Sequence, residues 1–195
     1  MRVPIDTERT PGTPILRRRK IGERYRGAVV HYEQRDQRDA DGVTRTKPDG
    51  KIAKELIVHL LTIRSTMPVG RRDDEWTPAE GEQVRLILKG GAWGQWIESA
   101  NAVTGGVCRG DIVDLTTTHA EYYNGAGPAV GKSTDEAEID QARRKGRTIG
   151  YRGDLAITPA TDEAVIERCK AAHEAMRAGA TASARQPIDA DEEQW

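Results

Sequence analysis

The chain has 195 residues, which allows one domain with appendages or two small domains. Hydrophobic residues make up 36% of it and charged residues 31%, so we expect a modest core under a heavily solvated surface. No apolar run is long enough to span a bilayer, and the opening MRVPIDTERT lacks the apolar segment of a secretory signal.

The residues that commonly carry catalysis or bind metals form no recognisable pattern. Cys108 and Cys169 match neither a metal site nor a disulfide framework, and we expect two buried thiols in a cytosolic protein. The four histidines are scattered, and no Ser/His/Asp or Cys/His grouping stands out. We therefore predict no metal, no other cofactor and no enzymatic activity.

Charge is distributed unevenly along the chain, although the net charge is only −1. Residues 189–195 carry acidic side chains and no basic one. Basic residues are concentrated near the start, at Arg17, Arg18, Arg19, Lys20, Arg24 and Arg26. This segregation suggests an anionic ligand for the body of the protein and a separate role for the tail.

The first part of the chain predicts an arm followed by two long strands. Residues 1–19 contain several prolines and little periodicity before the basic cluster, which favours a flexible basic arm. Residues 25–32 alternate as a strand does, with Gly27 suited to a bulge or bend. Residues 53–63 are almost continuously apolar, so we place this second strand centrally, buried on both faces.

The middle of the chain predicts a third strand and a helix. Residues 64–81 form a polar loop, and residues 82–89 alternate so that Arg85 and Lys89 lie on a wet, basic face. Apolar residues then recur at helical spacing from 93 to 103 and stop at a pair of glycines.

Two further strands and a helix follow. Residues 111–118 and 147–157 are predicted strands, separated by a long insertion over 119–146. The insertion contains a helix signal that opens with a capping box at Ser133. A C-terminal helix is predicted within residues 159–179, ending at Gly179. Residues 180–195 form a flexible acidic tail.

The order of these elements is three strands, a helix and two strands. This is the order of the OB-fold, a five-stranded Greek-key barrel with its helix between the third and fourth strands. We therefore predict a mainly β protein with flanking helices, in which residues 20–158 form an OB-fold nucleic-acid-binding domain. Its ligand face is expected on the second and third strands.

Several motifs carry a family resemblance. The run GERYRGAVVHYEQRDQRD, the DGK before the second strand, VRLILKGG and GGVCRGDIVDL resemble OB-fold single-stranded DNA-binding proteins of actinobacterial phages. The resemblance covers residues 20–157, and it implies sequence-tolerant, non-catalytic binding of single-stranded DNA in replication or recombination. It also implies a place in the cytoplasm of a bacterial host and a possible homo-oligomer. The insertion and the final helix have no counterpart in this pattern.

A groove for a single strand needs cations along the phosphates and flat rings on which bases stack. Tyr32 can equally be a core residue, and His59, in a buried strand, fits a core histidine better. Trp76 lies in a polar loop, where a ligand contact is favoured. Trp93 and Trp96 fit better as plugs of the barrel end. The candidate nucleic-acid-binding residues are Arg26, Tyr32, Lys54, His59, Arg72, Trp76, Arg85, Lys89, Tyr122, Tyr123, Arg143, Arg144 and Arg147.

The end of the tail resembles the C-terminal tip of bacterial single-stranded DNA-binding proteins. Its candidate partner-binding residues are Asp191, Glu192, Glu193 and Trp195. The resemblance implies docking on replication or recombination proteins. The alternative is a tail that only keeps the protein soluble.

Two other functions stay open. Residues 126–133 approximate a phosphate loop that ends in Gly131, Lys132 and Ser133, as in an NTPase. The segment before them is too polar for a central parallel strand, and too few residues follow for such a domain. The fold also permits a protein-interaction or RNA-binding module.

Overall fold

The computed structural model describes residues 13–39, 42–71, 74–125 and 127–184. Within these ranges the chain forms a mainly β structure with three helices. The elements are β1 (Arg24–Asp36), β2 (Lys54–Ser65), β3 (Val69–Arg71), β4 (Asp74–Trp76), β5 (Gln83–Leu88), α1 (Gly91–Ala102), β6 (Ile112–Tyr123), β7 (Ala129–Ser133), α2 (Glu136–Arg144), β8 (Thr148–Thr158) and α3 (Glu163–Ala184).

The long strands form one antiparallel sheet. Its order is β5-β2-β1-β6-β7, and β8 also pairs with β6. Between the described residues of β5 and β8 no ladder closes the sheet. The prediction of a mainly β protein with flanking helices is confirmed, whereas a closed five-stranded barrel is not.

The second strand is buried on both faces, as the sequence predicts, and the buried part of β1 is covered on both faces as well. In β1, Tyr25 and Val29 pack into the main core, whereas Ala28 and Val30 face α3, where Cys169 covers them. In β2 every residue from 55 to 62 is buried. Burying both faces of these strands places the core on one side of the sheet and α3 on the other.

Gly27 occupies the predicted irregularity in β1. The pairing of β1 with β2 shifts register between Arg26 and Gly27. A Cβ atom at Gly27 would lie 2.6 Å from Cε1 of Tyr25, whose side chain is fully buried. The bulge and the missing side chain together let Tyr25 fold back over the strand.

Residues 13–19, called here the N-terminal segment, run beside β5. The backbone N–H of Leu16 donates to the carbonyl of Arg85, and the N–H of Arg85 donates to the carbonyl of Pro14, both at 2.8 Å. Leu16 is buried in the main core. This contact covers Arg85, which is only 8% exposed and donates from Nε to the carbonyl of Thr13 at 3.0 Å. The prediction that Arg85 lies on a wet face is therefore wrong.

The predicted insertion is largely a continuation of the sheet. β6 runs on to Tyr123, and β7 pairs back with it. α2 covers this extension with Ile139 and Ala142. Asp135, not Ser133, caps α2, because its carboxylate accepts a hydrogen bond from the N–H of Ala137 at 2.8 Å.

Three smaller predictions need correction. The polar loop over residues 64–81 contains the β3–β4 hairpin. α3 passes through Gly179 to Ala184, since a helix tolerates an isolated glycine at modest cost. Cys108 is exposed, and only Cys169 is the buried thiol that the sequence predicts.

Candidate nucleic-acid interface

A cleft of about 830 Å³ opens where β5 and β8 face each other without pairing. The end of β5 forms one wall and residues 151–154 of β8 form the other. The N-terminal segment and the first turn of α1 complete it, with His119 and Glu121 of β6. We call this cavity the interstrand cleft.

Positive charge dominates the lining of the interstrand cleft. Two carboxylates, Glu121 and Asp154, contribute to it. The cationic residues that line it are Arg17, Arg18, Arg19, Lys89 and Arg152. An excess of cations in a concave site concentrates anionic ligands.

The surroundings of two of these arginines lower their pKa. Burial, and then the nearby charge of Arg152, lowers the pKa of Arg18. Burial and the neighbouring Arg19 likewise lower the pKa of Arg17. The guanidinium of Arg18 donates to a neutral acceptor, the carbonyl oxygen of Asp154 at 3.5 Å. A bound anion would relieve this crowding of like charges.

Arg152 is held in place by partners at the rim of the cleft. Its Nε donates to Glu121 at 2.7 Å, and its Nη2 donates to the hydroxyl of Tyr123 at 2.6 Å. The hydrogen bond to Glu121 is the main cause of the raised pKa of Arg152. The hydroxyl of Tyr123 and then Arg152 lower the pKa of Glu121 in return. These contacts fix one cation against the end of β8.

Lys89 is fixed from the opposite wall. Its Nζ lies 2.8 Å from one carboxylate oxygen of Glu55, and Nε of Arg35 lies 2.7 Å from the other. Glu55 is buried, and burial alone would raise its pKa, but the hydrogen bonds from Lys89 and Arg35 lower it. The charged carboxylate therefore positions two cations at the end of the central strands.

The backbone of β5 also contributes to the cleft. The backbone N–H and C=O of Arg85 both bond to the N-terminal segment. Arg85 and its register partner His59 on β2 are therefore a pair that exchanges no backbone hydrogen bonds. In an antiparallel ladder such pairs alternate, and Ile87 has the same parity as Arg85. The N–H and C=O of Ile87 therefore point away from β2 and toward the cleft.

Of the residues that the sequence singled out, the structure brings few together at this cleft. Lys89 lines it, and Tyr123 contacts Arg152 at its rim. Arg85, His59 and Tyr122 are buried, so a base could not stack on them. The pKa of His59 falls to about 4, mainly because of burial.

The other predicted residues are dispersed over the surface. Arg26 pairs with Asp114, Lys54 with Asp36 and Arg143 with Asp140. Arg144 and Arg147 belong to the surface around α2. Trp76 is 42% exposed on β4, and its Nε1 donates to Glu82 at 2.9 Å. Tyr32 is exposed beside α1. Arg72 lies outside the described residues, and so do the tail residues Asp191, Glu192, Glu193 and Trp195.

Sequence reasoning missed the residues that contribute most of the charge. The basic cluster at 17–20 is visible in the sequence as a charge asymmetry, but nothing in its pattern predicts that it lies against β8. Arg152 gave a weaker signal, an outward position on the fifth strand between Tyr151 and Gly153. The pairing of the N-terminal segment with β5 and with β3 brings these arginines to one cavity.

The phosphate-loop alternative loses its structural basis. Gly131, Lys132 and Ser133 belong to β7, an extended strand antiparallel to β6. A phosphate loop needs these residues to curl around phosphates at the start of a helix. Here Lys132 stands opposite Glu121 in a ladder, three residues before Asp135, which caps α2.

The described ranges contain neither a cluster of metal ligands nor a membrane-spanning helix. No group of three or more His, Cys, Asp or Glu side chains converges there as metal ligands would. None of the helices in those ranges combines the length and the apolar character needed to cross a membrane.

No family model matches the sequence, and no curated protein or solved structure matches it either.

Proposed function

We propose that the protein binds single-stranded DNA, without catalysis, in the interstrand cleft. The observation that carries this proposal is the crowding of Arg17, Arg18 and Arg152 in a cavity with few carboxylates. Neutralising such cations with phosphates releases counterions from the nucleic acid, and this release drives much of the binding.

The arrangement of strands supports an OB-fold interpretation of the site. The order β5-β2-β1-β6-β8, with α1 between β5 and β6, is that of a five-stranded Greek-key barrel left open between its third and fifth strands. OB-folds are described as partly open barrels that bind oligonucleotides. Together with the phage resemblance of the sequence, this favours a role in replication or recombination, with the acidic tail recruiting partner proteins.

The dimensions of the cleft favour a single strand over a duplex. Its volume of about 830 Å³ lies within the range of about 300–1,000 Å³ that is usual for ligand cavities. Such a cavity between two β-strands admits a short stretch of a single nucleic-acid strand. Tyr151 lines it as a half-buried ring, and its hydroxyl lies 3.4 Å from Nη2 of Arg143.

The test is fluorescence anisotropy with a labelled thymidine oligonucleotide, titrated at several salt concentrations. The variant carries Arg17→Gln and Arg18→Gln. Losing two phosphate contacts should lower the slope of log affinity against log salt by about 1.4, since single strands release about 0.7 ion per neutralised phosphate. Competition with duplex DNA and with RNA establishes which nucleic acid is preferred.

A matched variant separates the cleft from general surface charge. Arg144→Gln with Lys145→Gln removes the same charge at the end of α2, away from the lining of the cleft, and we expect it to leave the salt slope unchanged. An equal loss of affinity in both double variants would show that binding follows net charge and not the cleft. Absence of binding by the unaltered protein at low salt would refute the proposal.

A further inference from the structure

A second cavity lies on the other side of α1 from the interstrand cleft. It measures about 290 Å³ and is lined by Tyr32, Trp93, Trp96, Ile97 and Leu56, with polar groups from Glu33, Gln34 and Asn101. We call it the aromatic groove. Its volume lies at the lower limit of ligand cavities, about 300 Å³, which suits a single flat ring.

In the aromatic groove, the exposed ring of Tyr32 packs against the buried ring of Trp96. Tyr32 is 43% exposed, and its ring centroid lies 5.9 Å from that of the buried Trp96, with the planes tilted by 59°. A tilted contact at this distance is favourable for aromatic pairs. Packing against Trp96 therefore orients the ring of Tyr32. Ile97, 49% exposed, completes the opposite side on α1.

The aromatic groove and the interstrand cleft share two elements, α1 and the ladder between β2 and β5. In α1, Ala92 and Gln95 line the cleft, whereas Trp93 and Ile97 line the groove. The two cavities thus lie on opposite sides of one helix, whose diameter with side chains is about 10–12 Å. In the sheet, Leu88 lines the cleft, and its register partner Leu56 lines the groove.

We infer that the aromatic groove is a base-binding subsite for the same strand whose phosphates occupy the interstrand cleft. This inference rests on the proposed function. A strand leaving the cleft at Lys89 crosses the first turn of α1 and places one unstacked base on Tyr32. Lys54 lies two residues from Leu56 on the same face of β2, where it can bind a flanking phosphate. Its ion pair with Asp36 is exposed and therefore weak, so it does not prevent this contact.

The lining of the groove favours a nucleobase over an apolar peptide. Bases offer a π-face for Tyr32 and polar edges for the amides of Gln34 and Asn101. A purely apolar partner would leave these amides and Glu33 without hydrogen bonds. A second copy of the chain is the competing occupant, and the experiment below distinguishes it.

The experiment compares oligonucleotides of about 4 and about 16 nucleotides, the limits of the site size for one such fold. Tyr32→Leu removes the ring but keeps apolar contact with Trp96, and Tyr32→Phe keeps the ring. We expect Tyr32→Leu to weaken binding of the long oligonucleotide about 5- to 150-fold, as expected for one stacked base. The short oligonucleotide should bind both variants as it binds the unaltered protein, and Tyr32→Phe should bind both lengths normally.

Each other outcome has a distinct meaning. Equal affinities of Tyr32→Leu and the unaltered protein for the long oligonucleotide would overturn this inference and leave the proposed function intact. Failure of the unaltered protein to bind either length would overturn the proposed function itself. A dimer in sedimentation that Tyr32→Leu converts to monomer, with DNA affinity unchanged, would assign the groove to a second copy.

Discussion

His59 makes the stability of this protein sensitive to mild acid. The side chain is 5% exposed on β2, and its Nδ1 has no hydrogen-bond partner among the described residues. Burial is the main reason that its pKa falls from 6.5 to about 4. Positive or titratable groups face it from every side, namely His31 and Arg35 on β1, Arg85 on β5 and His173 on α3.

The sign and size of the effect follow from proton binding. Between these two pKa values the unfolded chain binds a proton at residue 59 that the folded chain excludes, so stability falls as the pH falls. The full difference corresponds to about 3 kcal/mol, since each tenfold change in proton affinity is worth about 1.4 kcal/mol. Between about pH 7.5 and about pH 5, the loss from this residue alone is about 2 kcal/mol.

Urea unfolding at these two pH values measures the effect, with His59→Leu as the variant. We expect the unaltered protein to lose about 2 kcal/mol more than His59→Leu on acidification. The comparison cancels the carboxylates, which titrate in both proteins. Equal losses in the two proteins would refute the assignment of a buried, neutral histidine at this position.

Two further predictions concern the supports of the cleft. In Gly153→Ala the new Cβ would overlap the carbonyl of Thr116, at 2.7 Å from the carbonyl carbon. We expect the free energy of unfolding, measured with urea, to fall by more than about 4 kcal/mol. Gly179→Ala lies in open space on α3 and should instead raise it by about 0.5–1 kcal/mol. Equal effects of the two glycine substitutions would contradict the packing of β8 on β6. Glu55→Gln should cost about 1.5–3 kcal/mol at neutral pH, because it removes the charged hydrogen bonds to Lys89 and Arg35. Since the pKa of Glu55 is lowered, this difference should persist above about pH 4.5 and disappear as the carboxylate of the unaltered protein is protonated in stronger acid.

Patterns that depend on neighbouring residues could be interpreted from the sequence. The continuous apolar run of β2 predicts a strand with two covered faces, and residues 55 to 62 are buried. The bend at Gly27 and the helix of α1 with its buried Trp96 are likewise local signals. In each case the information lies within a few residues of the feature it predicts.

Features that depend on distant parts of the chain could not be predicted. The alternation of apolar and polar residues in β5 correctly separates Arg85 from the residues that point into the core. It cannot show that Thr13, 72 residues away in the chain, covers the Arg85 side chain. Similarly, the polar segment after residue 118 lacks the apolar pattern of a strand, because α2 covers only one face of that part of β6. The cleft combines residues from both ends of the described chain, and no spacing rule connects Arg18 with Arg152.

The docking of the N-terminal segment also has a consequence for the order of folding. Residues 14–16 are synthesised before β5, and although Ile15 bonds to Gly70, Pro14 and Leu16 gain their backbone partner Arg85 only when β5 has joined the sheet. Contacts so far apart in the chain carry a loop-closure cost and tend to slow folding. The wall of the cleft that carries Arg17 and Arg18 therefore gains its bonds to β5 only after that strand is synthesised, and a nascent chain stopped before residue 83 would lack them.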